Sequence, residues 1–179
     1  MKMKIILCVA LAASLFGFVH ASEFPEPKRV APVKIIFDTD IGNDCDDAMA
    51  LAVIHALQNR GATELLAVTL TNPDPLAGKL IDAINTFYGR PDIPIGINPS
   101  SPVVHKVSRF LKVANNHPHD FDPDKAMHAV ALLRKTLAAA KDGEVTLVQV
   151  GFFNNLAALL DTKGDEFSPL SGVELIKRR

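Results

Sequence analysis

Residues Val33 to Leu51 constrain the chain more than any other stretch. An apolar run ends in Asp38, Asp40, Asp44, Asp46 and Asp47, and an apolar-periodic helix begins directly after them. Carboxylates crowded this closely repel one another, so some must take up protons or share a counter-ion. Capping a helix needs only one or two of them, which leaves the others unexplained as solvent-facing residues. Ligation by oxygen alone suits a hard cation such as Ca²⁺ or Mg²⁺.

The surrounding pattern gives the fold class. Val33 to Phe37 is apolar without clean alternation and predicts a central strand covered on both faces. Asn43 or Asp44 is expected to cap the following helix, in which Leu51, Ile54 and Leu57 recur at helical spacing until Gly61. His55 falls inside that helix and reads as a structural residue. Glu64 to Leu70 predicts a second buried strand, followed by the loop Thr71-Asn72-Pro73-Asp74-Pro75. Leu76 to Tyr88 predicts a helix with Leu76, Leu80, Ile84 and Phe87 on one face, and Ile93 to Ile97 a short third strand. Such alternation implies an α/β fold with a mostly parallel sheet flanked by helices. Ligands bind such sheets at the carboxyl ends of the strands, where both the aspartates and the Asn72 loop lie.

Pro99 to Pro123 is the least regular part and holds His105, Asn115, Asn116, His117, His119, Asp120 and Asp122. It reads either as an ordinary surface loop or as a lid over the pocket; a second metal on His117-Pro118-His119-Asp120 lacks a third ligand. Asp124 to Lys141 predicts an amphipathic helix ended by Asp142-Gly143, and Glu144 to Val150 a fourth strand. Gly151-Phe152-Phe153-Asn154-Asn155 then turns into a helix from Leu156 to Leu160. Here Asn154 or Asn155 either caps the helix or supplies a carbonyl or amide to the site. Val173 to Arg179 reads as the approach to one more strand.

Met1 to Ala21 has the form of a cleaved secretory signal: Lys2 and Lys4, an apolar run from Ile5 to Phe18, and Val19-His20-Ala21 before Ser22. That reading predicts a periplasmic or secreted protein with no membrane attachment after cleavage. Ser22 to Pro32 would be an extended lead-in, and residues 33–179 the α/β domain. Cys8 leaves with the leader, so Cys45 alone remains and no internal disulfide is expected. With a formal net charge of −1 the chain has no basic field for nucleic acid.

Three segments together resemble one family. Asp38 to Ala48 (Asp-Thr-Asp-Ile-Gly-Asn-Asp-Cys-Asp-Asp-Ala) is similar to the aspartate signature of the inosine-uridine-preferring nucleoside hydrolases. Leu66-Ala67-Val68-Thr69, with Asn85 and Gly89 to Pro94, is similar to that family's second βα unit. Gly151-Phe152-Phe153-Asn154-Asn155-Leu156-Ala157 resembles its Gly-Pro-Leu-Thr-Asn-Leu-Ala segment, with Asn154 in place of threonine.

The resemblance implies a Rossmann-like fold, one Ca²⁺, and hydrolysis of the N-glycosidic bond of a ribonucleoside by a Ca²⁺-bound water. Asp40 would bind the ion and act as the base. Asp47 would be a second ligand, and the backbone carbonyl of Asn154 another. Asp46 would hold ribose hydroxyls with Asp38 orienting the cluster, while Asn155 and Asn72 would lie beside the sugar. Because the signature is longer than the family's short form, Asp44 is a further candidate ligand that could exchange roles with Asp46. The matching segments correspond to the N-terminal half of a usual member. The family's last metal-binding aspartate and the histidine that protonates the leaving base therefore fall outside this sequence. Base preference is not legible, and self-association is left open.

Two other readings compete. A haloacid-dehalogenase-like phosphatase also opens with a strand ending Asp-x-Asp, with Asp38 as nucleophile and Asp40 as acid/base, but it leaves Asp44, Asp46 and Asp47 without a function. A non-catalytic exported protein that binds Ca²⁺ or a nucleoside is the second. An EF-hand fails, because the twelfth loop position from Asp38 is Met49 and a strand precedes the loop.

Overall fold

A computed structural model describes residues 31–101 and 110–179. The expected leader, all of the lead-in but Ala31 and Pro32, and His105 lie outside the described residues.

The strands are β1 (Val33–Thr39), β2 (Thr63–Leu70), β3 (Ile95–Ile97), β4 (Met127–His128) and β5 (Val145–Gln149). They form one parallel sheet in the order β4-β3-β2-β1-β5. The helices are α1 (Asp46–Asn59), α2 (Pro75–Phe87), α3 (Ala129–Ala139), α4 (Asn154–Leu160) and α5 (Gly172–Arg178), with a 3-10 helix at Phe110–Asn116.

β1 is central because its side chains are apolar on both faces. Ile35 and Phe37 pack with Leu51 and Ile54 of α1 and with Leu80 and Ile81 of α2. Ile36 points the other way, into Leu133 and Leu137 of α3, Leu159 of α4 and Leu175 of α5. Each such side chain contributes about 1.5–3 kcal/mol by leaving water. The chain steps from β1 to β2 on one side and returns to β5 on the other, so the connectivity reverses beside β1. In an open α/β sheet this reversal opens a crevice at the carboxyl ends of the strands, and Asp38 lies at that end of β1.

Several boundaries differ from the sequence expectation. The helix expected from Asp124 starts at Ala129, because Met127 and His128 pair with Gly96 and Ile97 as β4. Met127 is apolar at helical spacing, yet it serves a strand, and the His128 side chain caps α3 by accepting from the Val130 N–H at 3.3 Å. Val173 to Arg179 forms α5 instead of a strand approach. Ser171 and Glu174 make a capping box, and Leu175 is the buried anchor. α1 is capped by neither Asn43 nor Asp44; Cys45 stands at the N-cap without a side-chain bond, and Asp46 Oδ1 accepts from the Asp47 N–H at 2.9 Å. Phe87, expected on one face of α2 with Leu76, Leu80 and Ile84, is 82% exposed while Leu80 is buried.

The described part of the irregular segment is pinned to the body of the fold. Leu111 and Ala114 enter the core, Phe121 packs on Gly78, and Asp82 Oδ2 accepts from the N–H groups of Asp120 and Phe121 at 2.7 and 2.8 Å. Residues 110–123 are thus an ordinary packed connection. His55 is structural: its Nε2 meets Asn85 Oδ1 at 2.8 Å, Arg90 donates to its Nδ1 at 3.3 Å, and Tyr88 stacks on the ring.

On the other side of the sheet Arg134 of α3, 2% exposed, organises the run from Thr162 to Leu170. It bonds Asp165 in a bidentate pair, the Thr162 hydroxyl, and the carbonyls of Ser168 and Leu170. Among the described residues no helix is long and apolar enough to cross a membrane.

Candidate active site

Asp38 shares a face of β1 with Ile36, because strand side chains alternate. That face is covered by α3, α4 and α5, so its carboxylate is fully buried. In the register of the sheet Asp38 is opposite Thr69 of β2 and Gln149 of β5. The Thr69 hydroxyl donates to Asp38 Oδ1 at 2.5 Å, and Asn155 Nδ2 donates to the same oxygen at 3.0 Å. Asp38 Oδ2 is buried without a hydrogen-bond partner among the described residues. Burial pushes the Asp38 pKa up to about 6 against these two donors, with the Asp40 charge adding to the rise.

Asp40 follows where the strand ends, half-buried. Its backbone is held by what crosses it: a Cβ on Gly151 would come within 2.6 Å of the Asp40 nitrogen, a space that only glycine leaves open. Thr71 N–H and hydroxyl both bond the Thr39 carbonyl, at 2.9 and 3.2 Å, and the Val150 N–H bonds the Asp38 carbonyl at 2.9 Å. Gly42 has φ +123°, a conformation that lets the chain turn back toward α1.

Asp47 enters from the first turn of α1 and is 5% exposed. Its pKa is pushed up to about 7, first by burial and then by the charges of Asp40 and Asp46, while the Thr39 hydroxyl pulls it down. The Asp40 carboxyl therefore lies close enough to Asp47 to disfavour its ionised form. Asp44 and Asp46 are exposed on the rim. They share a hydrogen bond, which raises the pKa of Asp44 and lowers that of Asp46. One oxygen each from Asp44, Asp46 and Asp47 lies within 4.8 Å of the others. By burial the five aspartates grade from Asp38 and Asp47, both buried, through half-buried Asp40 to exposed Asp44 and Asp46, and the oxygens that gather closely enough to share one ion are those of Asp44, Asp46 and Asp47. Among the described residues no comparable group of three includes His117 or His119.

The asparagines are placed differently from one another. Asn72 is 2% exposed, and both ends of its amide serve the loop: Nδ2 donates to the Ile41 carbonyl at 3.0 Å and Oδ1 accepts from the Asp74 N–H at 3.0 Å. Asn155 is fully buried; besides Asp38 it bonds the Leu70 carbonyl at 3.0 Å and accepts from Asn98 at 3.3 Å. Both side chains are buried at the strand ends and tie them to neighbouring backbone. Asn154 is the first residue of α4. Its side-chain Oδ1 is buried without a partner among the described residues.

Two supporting residues are not evident from the chain read in order. Thr69 becomes visible only once β1 and β2 are set in register. Ser101, whose hydroxyl donates to the Thr71 carbonyl at 2.6 Å, carries no sequence signal. An apolar groove of about 410 Å³ between α1, α2 and the 3-10 helix, walled by Met49, Leu80, Phe87 and Phe110, is lined by none of the aspartates, although Cys45 of the aspartate loop borders it.

The donors fit a hard cation. Asp38 Oδ2 and Asn154 Oδ1 are oxygens without a donor, and Asp38 and Asp47 have carboxyls whose ionised form is disfavoured until positive charge arrives.

Known structures share this architecture. The type III effector protein XopQ, solved in complex with adenosine diphosphate ribose, matches with a TM-score of 0.56 at 18% identity, over 74% of this chain and 39% of that one. The effector protein XOO4466 matches with a TM-score of 0.55 at 16% identity, over 74% of this chain and 39% of that one. The plant nucleoside hydrolase PpNRh1 matches with a TM-score of 0.53 at 21% identity, over 81% and 56%. The chain thus spans well under two thirds of the length of these proteins. No curated protein matched its sequence. The sequence model of the inosine-uridine preferring nucleoside hydrolases matches residues 35–173, a span that holds the strand-end aspartates, the Thr69 register and the turn into α4. The chain belongs to the inosine-uridine preferring nucleoside hydrolase family.

Proposed function

We propose that this chain carries the cation and ribose half of a site that hydrolyses the N-glycosidic bond of ribonucleosides with Ca²⁺ as cofactor. The observation behind this reading is the aspartate cluster at the point where the sheet reverses, with Asp38 and Asp47 buried, Asp40 half-buried beside them, and oxygens of Asp44, Asp46 and Asp47 gathered within 4.8 Å. Bound there, a divalent cation supplies orientation of a water molecule and lowers its pKa. Asp40 and Asp47 are the carboxylates that hold the ion, with Asp38 behind them.

Asp40 is the general base. It is half-buried at the mouth of the crevice, near enough to Asp47 for its charge to raise that pKa, and its backbone is fixed by Gly151 and Thr71. It takes the proton from the attacking water, and the negative charge around it stabilises the oxocarbenium character that develops on the sugar. Asp46, exposed on the rim with its ionised form favoured, accepts from ribose hydroxyls, and Asp44 is its alternate in that task. Asn155 and Thr69 keep Asp38 in place, and Asn72 keeps its loop against Ile41. A periplasmic or secreted location follows from the leader reading and belongs to this proposal.

The test is calorimetric titration of Ca²⁺ into the chain, followed by a reducing-sugar assay on inosine and uridine. Saturable binding that is lost in Asp40→Asn, together with ribose release, supports the reading. Binding without ribose release places the chain among non-catalytic binders. Hydrolysis of p-nitrophenyl phosphate in place of nucleosides would favour the phosphatase.

A further inference from the structure

The outward face of α1 is apolar where a solvent-facing helix is normally charged. Between Asp47 and Arg60 the helix carries no acidic or basic side chain except His55, which is buried. Leu51 and Ile54 face the core, yet Met49, Val53 and Leu57 are 64, 57 and 36% exposed. A helix that is apolar on both sides has a second surface to pack against. The exposed side continues onto Phe87 of α2 and Val113 of the 3-10 helix, around the groove of about 410 Å³. Monomeric proteins rarely leave so continuous an apolar patch to water.

The spacing along α1 points to the occupant. Asp46, Met49, Val53, Leu57 and Arg60 are separated by three, four, four and three positions. At 3.6 residues per turn all five fall within about 80° of one another around the helix. The series is symmetrical about Val53. A second copy of α1, laid antiparallel with a two-fold axis at Val53, sets Val53 against Val53 and Met49 against Leu57. It also sets the acidic end, Asp44 and Asp46, against the partner's Arg60, which is exposed. Such a contact is self-complementary, as an isologous interface must be. The i, i+4 ridge of Met49, Val53 and Leu57 fits the groove beside the same ridge on the other copy, the commonest packing of two helices. Opposed helix dipoles act in the same sense as the charges. A membrane surface is the poorer fit, because the patch ends in aspartates and has one arginine in place of a basic flank.

We propose that α1 is the two-fold interface of a homodimer, in which the Met49–Val53–Leu57 ridges of two copies pack antiparallel and cover the groove bordered by Phe87 and Val113. Each copy then brings its Arg60 to the rim of the other's aspartate loop.

The experiment is sedimentation velocity of the full chain across micromolar concentrations, with Val53→Arg and Arg60→Glu compared and each checked for folding by thermal melting. The unaltered chain is expected to sediment as a dimer. Val53→Arg puts two like charges on the axis and is expected to weaken association on the order of a hundredfold or more. Arg60→Glu sets acid against acid at both ends and is expected to weaken it about tenfold at low salt and less at high salt. In a Cys45→Ser background, Val53→Cys is expected to give a disulfide-linked dimer on mild oxidation, since a residue on the axis meets itself. A chain that stays monomeric throughout overturns the proposal. So does a dimer that survives Val53→Arg unchanged, which would be association through another face. If Val53→Arg does not fold, the Val53→Cys cross-link decides, and its absence in a dimeric preparation overturns the proposal as well.

Discussion

Asn155 Nδ2 lies 3.0 Å from Asp38 Oδ1, joining the first turn of α4 to the end of the central strand across 117 positions. The same amide nitrogen bonds the Leu70 carbonyl at the end of β2. One side chain therefore fastens three elements together at the point where the carboxylates gather, and its own burial is complete.

Removing it is expected to cost stability before it touches chemistry. Asn155→Ala leaves the Leu70 carbonyl and Asp38 Oδ1 short of a donor, which predicts destabilisation of about 1–3 kcal/mol. Urea denaturation of the two chains at pH 7 measures this. Equal midpoints with equal slopes would show that the bond to Asp38 contributes nothing.

The burial of Asp38 predicts a pH dependence. Its pKa is raised from 3.8 to about 6 in the folded chain, so the folded state binds the extra proton. The stability tied to that proton is fully present below about pH 4 and is lost as the pH climbs through 6. Asp47, raised to about 7, extends the same loss to neutrality. His55, with its pKa lowered by burial, works in the opposite sense as the pH falls below 6.5. In cation-free buffer, Asp38→Asn should flatten the stability profile between about pH 4 and 6 by on the order of 2 kcal/mol. Chemical denaturation at a series of pH values measures it, and an unchanged profile would count against a protonated Asp38.

Gly151 is expected to tolerate no side chain. A Cβ there would meet the Asp40 nitrogen at 2.6 Å and the Thr39 carbonyl carbon at 2.7 Å, both backbone atoms that cannot swing aside. Gly151→Ala should therefore cost on the order of 1–3 kcal/mol and weaken Ca²⁺ binding by moving Asp40. Melting and titration of the same preparation test both effects, and an unaltered affinity would mean that Asp40 does not depend on this contact.

The sequence announced the parts of the site that are local. Five aspartates following an apolar strand are visible without a structure, and so is the glycine that ends α1, because strand burial and left-handed turns leave short-range marks. The partners of those aspartates are not local. Thr69 and Asn155 reach Asp38 only through strand register and the placement of α4, and no single segment encodes either. Met127 misled because an apolar residue at helical spacing also suits a two-residue strand. Val173 to Arg179 misled because a short apolar run has no readable period, although the Ser171 and Glu174 pair was available as a helix signal. Asn154 lay in between: its residue type drew notice, while its amide bonds the Ser101 hydroxyl at 3.0 Å, a partner that nothing in the chain distinguishes.

β1 is finished on one side by β2, its near neighbour in sequence, and on the other by β5, with Lys34 and Glu144 pairing across 110 positions. During synthesis the acidic strand end is made early, long before β5 and α4 exist to close over it. Loop closure of that length is slow and precedes any reward from the contacts it creates. The carboxylates thus stay hydrated and mutually repelling through most of folding, and the docking of β5 is the step at which that repulsion must be overcome. A cation taken up at that moment would act on the folding rate as well as on the final stability.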